Sequence, residues 1–253
     1  MAQEKSVKVL DKTTDILYLF MEKKRPLGIT EISKELLLYK SAVHRILNTL
    51  KSRGFIVQDG QTKKYWLGSQ FYTLGMLFKN SLKLRDIATK YMEILAERFK
   101  ETVHLTIYDE VNYGRVVCVE KVQASHLLSM SPPVGSKSPT HASAVGKALL
   151  AYSGDDIQNM VLNGELKSYT KQTITDREQL KEELVKIREK EYAMDNEELE
   201  NGLVCLAAPI LNSKNTSIAS ISVSGPRGRI IEKKDEIIEQ IIQGSKRISY
   251  ELK

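Results

Sequence analysis

The sequence is poor in cysteine: only Cys118 and Cys205 occur, widely separated. That excludes a disulfide framework and a cysteine-based zinc motif, and both thiols are expected to lie buried in a reducing compartment. Long apolar runs are missing too, with no stretch of 18 apolar residues, so no bilayer-spanning helix is predicted. The opening Met1-Ala2-Gln3-Glu4-Lys5-Ser6 lacks the apolar core of a signal peptide, which predicts a cytoplasmic protein without a membrane partner. Histidine is scarce, and a set drawn from His104, Cys118, His126 and His141 has no ligand spacing, so neither a metal nor a cofactor is expected. Internal repeats and low-complexity stretches are absent as well.

Positive charge is present, and it is unevenly placed. The net charge is +6; residues 1–70 hold 13 Lys and Arg against seven Asp and Glu, whereas residues 71–253 hold 25 of each. All of the excess therefore lies in the first quarter of the chain. Nucleic acid is the commonest partner of such a local imbalance, because lysines and arginines displace counterions from phosphates. Charge by itself is equally compatible with a solvated basic face.

The order of elements in that quarter sharpens the choice. Val7, Leu10, Thr14, Leu17 and Met21 recur at helical spacing, and Pro26 and Gly28 end the pattern. Thr30 is positioned to cap a short second helix over about 31–36. A third helix is predicted over about 40–53, with Val43, Ile46, Leu47 and Leu50 in one apolar stripe and Gly54 as its stop. Phe55–Gln58 and Lys64–Leu67 flank a turn beginning Asp59-Gly60, which reads as a β-hairpin. An amphipathic segment over about 70–99 then leads into the rest of the chain. The fold class expected is α+β, with a winged helix-turn-helix domain over 1–70, a helical linker over 71–85 and a second, larger domain over 86–253.

On the third helix, Lys40, Ser41, His44, Arg45 and Asn48 lie opposite the apolar stripe. The second helix of a helix-turn-helix enters the major groove and reads bases with such early positions. Arg45 suits guanine through a forked pair of donors, and Asn48 suits adenine. Lys63 and Lys64 fall at the hairpin turn, where a wing touches backbone or minor groove. A three-helix bundle with a solvated polar face is the plainer alternative, but it does not require the hairpin or the confined charge.

Beyond residue 100 the pattern alternates between β-branched runs and helices. Strands are predicted over 103–109, 115–123, 203–211 and 218–224, helices over 142–152, 177–190 and 232–252, and a loop over 131–135. Strands joined by turns with helices grouped around them favour an α+β domain over a parallel, doubly wound one. Four segments hold candidate site residues. Small residues from Pro139 to Ala148 enter a helix whose first amides, Ala144 and Val145, are free for an anion; Ala148 stands where a phosphate-binding loop needs Ser or Thr. Asp195 and Cys205 lie in two further segments, and Ser222 and Ser224, two apart in a strand, point to one face. Each has a bland explanation taken singly: close helix packing, or a plain buried thiol. Together they suit a small pocket for a carboxylate-bearing ligand.

Several stretches resemble the IclR-type bacterial transcription regulators: Gly28-Ile29-Thr30-Glu31-Ile32-Ser33, Lys40-Ser41-Ala42-Val43-His44-Arg45-Ile46-Leu47 and Lys64-Tyr65-Trp66-Leu67-Gly68. In the second part the same resemblance covers His141-Ala142-Ser143 through Gly146-Lys147-Ala148, Thr173-Ile174-Thr175-Asp176, Asp195-Asn196-Glu197-Glu198, Gly202 through Cys205 to Pro209, and Ser222-Val223-Ser224-Gly225-Pro226 to Arg229. The family usually has Gly in the turn where this chain has Leu37-Leu38-Tyr39, so a different turn geometry is expected. It often has Gly at the position of Ala144, so a narrower pocket is expected. The resemblance implies a GAF-like effector domain in which the Ala144 and Val145 amides, Asp195, Cys205, Ser222 and Ser224 hold a small acid. It also implies a double-stranded DNA operator, with repression favoured over activation, and a homodimer extending to a dimer of dimers.

An enzyme is the rival class. Cys118 and Cys205 as a redox pair in a GAF-type domain would need nearby cations to lower a thiol pKa, and neither local sequence supplies one. Ser143 with His141 and Asp195 would form a hydrolase set, but no nucleophile elbow surrounds the serine. A non-enzymatic regulator is the expectation.

Overall fold

The computed structural model describes residues 6–123 and 132–252. His126, and Ser131 at the start of the expected loop, lie outside the described residues. The chain divides into two compact units, Met1–Ser81 and Leu82–Lys253.

In the first unit, α1 (Lys8–Lys23), α2 (Ile29–Glu35) and α3 (Lys40–Ser52) precede a hairpin of β1 (Ile56–Gln58) and β2 (Tyr65–Leu67), and α4 (Ser69–Ser81) follows. The apolar stripes of the helices meet in one core: Ile16, Leu19 and Phe20 from α1, Ile32 from α2, and Val43, Ile46 and Leu47 from α3. Tyr65 joins them from the hairpin, and Phe20 meets Trp66 edge to face at 5.8 Å between ring centroids. Leu27 adds an isolated antiparallel bridge to the hairpin through paired backbone bonds with Tyr65, 3.0 and 2.8 Å long. Gly54 has φ +75, the left-handed stop expected at the end of α3. Gly68 lies so close that a Cβ there would come within 2.2 Å of the Gly54 carbonyl oxygen.

Three local expectations change. Thr30 does not cap α2; the helix starts two residues earlier, with Gly28 at the N-cap position and no side-chain cap. The segment over 70–99 is not one helix but two, α4 and α5 (Lys83–Phe99), parted at Leu82. The turn after α2 keeps a glycine-like path, because Leu37 itself takes the left-handed conformation at φ +53.

The second unit is a six-stranded antiparallel sheet in the order β5-β4-β3-β8-β7-β6. Its strands are β3 (Thr102–Tyr108), β4 (Arg115–Val122), β5 (Lys137–Pro139), β6 (Ala193–Asn196), β7 (Leu203–Leu211) and β8 (Ser217–Pro226). Strand alternation splits the side chains between two layers. One face, with Val103, Leu105, Val204, Leu206, Ile221 and Val223, packs on α5 and on α10 (Lys234–Glu251) through Met92, Phe99, Ile237, Ile241 and Ile248. The other face, with Val116, Cys205 and Ala207, packs under α6 (Ala144–Ala151) and α8 (Arg177–Lys190). A further helix, α7 (Asp155–Leu162), and the short edge strands β5 and β6 have no counterpart in the sequence pattern. The final helix expected over 232–252 is α10, and a short α9 (Arg227–Glu232) precedes it.

Two sequence signals prove structural. Asp176 caps α8 by accepting from the Gln179 amide at 2.9 Å. Gly225 leaves room for the buried Glu101 carboxylate, whose Oε2 accepts from Arg229 Nη2 at 2.9 Å; a Cβ on Gly225 would lie 2.4 Å from that oxygen.

Candidate functional site

The first surface is the polar side of α3. Val43, Ile46 and Leu47 face inward, which turns Lys40, Ser41, His44, Arg45 and Asn48 to solvent along one side of the helix. His44 Nδ1 and Asn48 Nδ2 lie 3.3 Å apart, so these two share one local network. At the hairpin tip, Asp59 Oδ1 accepts from both the amide and the hydroxyl of Thr62 at 2.6 Å, a compact turn that leaves Lys63 and Lys64 exposed. Lys51 Nζ donates to Gln58 Oε1 at 3.0 Å, tying α3 to β1 and holding hairpin and helix as one cationic face.

The second feature is a small cavity of about 50 Å³ between the α6 side of the sheet and the start of that helix. Its lining includes Ala144, Val145, Asp195, Cys205, Ser222 and Ser224, so the four separate sequence segments meet there. Strand register explains the convergence. Asp195 stands opposite Cys205, and Cys205 opposite Ser224; in the neighbouring row His104 stands opposite Ser222. The polar alternation of β8 thus meets a polar alternation of β3, where His104 and Thr106 also reach the cavity.

The helix entrance is built by Ser143 and Gly146. Ser143 Oγ donates to the Pro139 carbonyl at 2.7 Å and accepts from the Gly146 amide at 3.2 Å, an N-cap rather than a nucleophile. A Cβ on Gly146 would strike the Thr140 carbonyl oxygen at 2.3 Å, so only glycine lets the helix start this close to the preceding strand. With Gly146 capped and the Lys147 amide bonded to the Ser143 carbonyl at 2.9 Å, the Ala144 and Val145 amides have no partner among the described residues. Ser222 Oγ is likewise buried without a nitrogen or oxygen partner among the described residues; its polar neighbour is the Cys205 thiol.

Electrostatically the cavity is unusual for its carboxyl. Burial, then the neighbouring Glu198 charge, pushes Asp195 up to about 7, while its Oδ1 accepts from the Glu198 amide at 2.7 Å. Burial drives the imidazole of His104 down to about 4, so it is neutral at physiological pH. Burial lifts the thiols of Cys118 and Cys205 to about 11 and about 12. Both line this cavity, and both are protonated at neutral pH. His141 is engaged elsewhere, its Nε2 lying 3.0 Å from the Lys167 carbonyl. Among the described residues no cluster of three His, Cys, Asp or Glu side chains could hold a metal ion, and no helix is long and apolar enough to cross a membrane.

Residues 9–60 match the IclR helix-turn-helix domain, and residues 77–250 match the C-terminal domain of bacterial IclR transcriptional regulators. The chain belongs to the IclR family. It is 33% identical over 249 residues to the HTH-type transcriptional regulator KdgR of Escherichia coli, a match covering 96% of this chain and 94% of that one. It is 32% identical over 247 residues to the transcriptional repressor IclR of the same species, covering 96% and 89%. Among solved structures, an IclR-type transcriptional regulator from Alicyclobacillus acidocaldarius matches with a TM-score of 0.85 at 25% identity, covering 97% of this chain and 99% of that one.

As an IclR-family member the chain is a transcriptional regulator with a DNA-binding helix-turn-helix unit and an effector-binding C-terminal unit. Sequence reasoning missed His104 and Thr106 in the lining of this cavity, and the buried pair Lys147 and Glu198 joined to it through Asp195. His104 and Thr106 carry a weak signal, as polar residues alternating with apolar ones in β3. Lys147 and Glu198 carry none: both are ordinary surface residue types.

Proposed function

We propose that this IclR-family chain is a homodimeric repressor whose α3 reads an operator in the major groove and whose C-terminal cavity takes a small carboxylic acid. Lys40, Ser41, His44, Arg45 and Asn48 meet base edges and nearby phosphates, and Lys63 and Lys64 meet backbone at the wing. The ligand carboxylate takes the Ala144 and Val145 amides and the Ser222 and Ser224 hydroxyls. Asp195 meets a hydroxyl or carbonyl of the ligand, and Cys205 forms part of the wall. The DNA-binding part spans 1–70, the linker 71–85 and the effector part 86–253, in a cytoplasmic protein whose dimers pair further.

The observation that carries the effector reading is the buried Ser222 hydroxyl, which has no nitrogen or oxygen partner among the described residues and faces the same cavity as the Ala144 and Val145 amides. A buried hydroxyl left unpaired costs about 1–3 kcal/mol, and a ligand that accepts from it recovers that cost. Repression is favoured by the repressor named among the relatives. The protonated thiols of Cys118 and Cys205 count against the cysteine-redox alternative.

A thermal-shift panel of small carboxylic acids on the full chain tests the reading. At least one acid is expected to raise the melting temperature and to change affinity for a duplex selected by the protein from a random pool. Replacing Ser222 and Ser224 by Ala is expected to abolish the shift while leaving ligand-free DNA binding intact. A double variant that responds like the parent puts the ligand elsewhere.

A further inference from the structure

The turn between α2 and α3 exposes two large side chains beside the basic N-terminal end of α3. Leu37 is 92% exposed and Tyr39 is 86% exposed. Leu38 between them is half-buried and clamped by Ser33: its amide donates to the Ser33 carbonyl at 3.0 Å, and its carbonyl accepts from Ser33 Oγ at 2.6 Å. With Leu38 held inward, its two neighbours are held outward.

This arrangement carries a conformational cost that burial of the two side chains does not offset. A non-glycine residue at φ +53 is disfavoured by about 1–2 kcal/mol, and Leu37 recovers none of it by burial. Tyr39 occupies the N-cap position of α3 without providing a side-chain cap, where a serine or asparagine would stabilise the helix. Both positions thus hold residues that local structure does not call for. Lys34 and Lys40 flank the pair and are exposed, with Ser41 following, whereas the nearby acid Glu35 is occupied by Lys23 at 3.1 Å. An apolar pair rimmed by exposed lysines, at the end of α3 that carries Lys40, Ser41 and His44, complements a polyanion that also presents apolar groups. In duplex DNA the apolar group displayed in the major groove is the thymine C5-methyl.

We propose that Leu37 and the ring of Tyr39 pack against thymine C5-methyl groups, making the α2–α3 turn a specificity-determining part of the DNA interface. The inference rests on the reading of α3 as the recognition helix. The lysines beside the pair supply phosphate contacts, which position without specifying; the apolar pair adds a preference for thymine at the bases it covers.

The test uses the full chain and a duplex it enriches from a random-sequence pool. Each thymine of that duplex is replaced singly by deoxyuridine, which deletes only the methyl. At one or two positions the parent protein is expected to lose about three- to tenfold in affinity, the scale of one or two buried methyl groups. Leu37→Gly combined with Tyr39→Ser is expected to weaken binding to the thymine duplex and to be indifferent to deoxyuridine at those positions. Glycine suits the left-handed site and serine the N-cap, so this variant keeps its fold, checked by an unchanged Trp66 emission spectrum. If no deoxyuridine matters, or if the variant is as sensitive as the parent, the inference falls while the DNA reading stands. If no duplex is enriched at all, the recognition-helix reading falls and takes this inference with it.

Discussion

Lys147 and Glu198 form an ion pair sealed inside the effector unit, their side chains 1% and 8% exposed. Lys147 Nζ also donates to the Met194 carbonyl at 2.8 Å, so a single cation fastens α6 to β6 and to the turn after it. Glu198 in turn offers its amide to Asp195, and its Oε2 has no hydrogen-bond partner. Asp195 in the cavity wall is therefore linked through Glu198 to one buried cation.

Lys147→Met is expected to destabilise the effector unit by about 3–5 kcal/mol, because it strands a buried carboxylate. Adding Glu198→Leu is expected to restore much of the loss by removing the stranded charge. Urea unfolding distinguishes the units, since the only tryptophan, Trp66, lies in the first one. The far-UV transition of the second unit should move and the Trp66 emission transition should stay. Equal shifts in both signals would contradict the assignment of this pair to the second unit alone.

Asp195 gives the effector unit a pH dependence of definite sign. Its folded-state pKa of about 7 lies above the ordinary 3.8, so over that interval the folded protein keeps a proton that the unfolded chain releases. Its contribution to stability is full below about pH 4, falls as pH rises to about 7 and is flat above; the interval is worth on the order of 4 kcal/mol. Glu198, also raised by burial, acts with the same sign. Asp195→Asn keeps an acceptor for the Glu198 amide and is expected to flatten the decline. Urea midpoints at pH 5 and pH 7 read this directly, and an unchanged slope in the variant would exclude Asp195 as its source.

At the DNA surface, Arg45→Ala is expected to cost about 1–3 kcal/mol on the selected duplex and to relax preference at one base position, as loss of a bidentate base contact does. Lys63→Ala is expected to weaken binding about equally on all sequences and to reduce the salt dependence. Binding isotherms on matched and scrambled duplexes at two salt concentrations separate the two effects. An Arg45 variant with parental sequence preference would remove the helix from the base-reading role.

Helix α4 has no buried residue in the single chain, and Tyr72, Leu74, Leu77 and Phe78 are all exposed on it. Covering that surface is expected to hold two copies together, with Leu74→Glu and Phe78→Glu together shifting the protein toward monomer. Light scattering at micromolar concentration measures the state. A monomeric parent protein would rule out this role for α4.

By itself the sequence determined the faces of the elements. Val43, Ile46 and Leu47 recur at helical spacing, so Arg45 and Asn48 had to point outward; Ser222 and Ser224 alternate in a strand, so they had to share a side. Those are local periodicities, set by backbone geometry before any tertiary contact exists. Motif resemblance added which outward and inward faces belong together, and the charge confined to residues 1–70 was countable from composition. Tertiary structure alone decided the rest. Nothing local marks Lys147 and Glu198 as buried, because their pairing joins α6 to the turn after β6. Strand register placed His104 and Cys118 in the same cavity as Ser222, and register depends on pairing between distant segments. The edge strands β5 and β6 exist only because neighbours supply their hydrogen bonds. Leu37 takes a glycine's conformation because the flanking helices and the Ser33 clamp on Leu38 outweigh its own preference, a balance that local propensity does not contain.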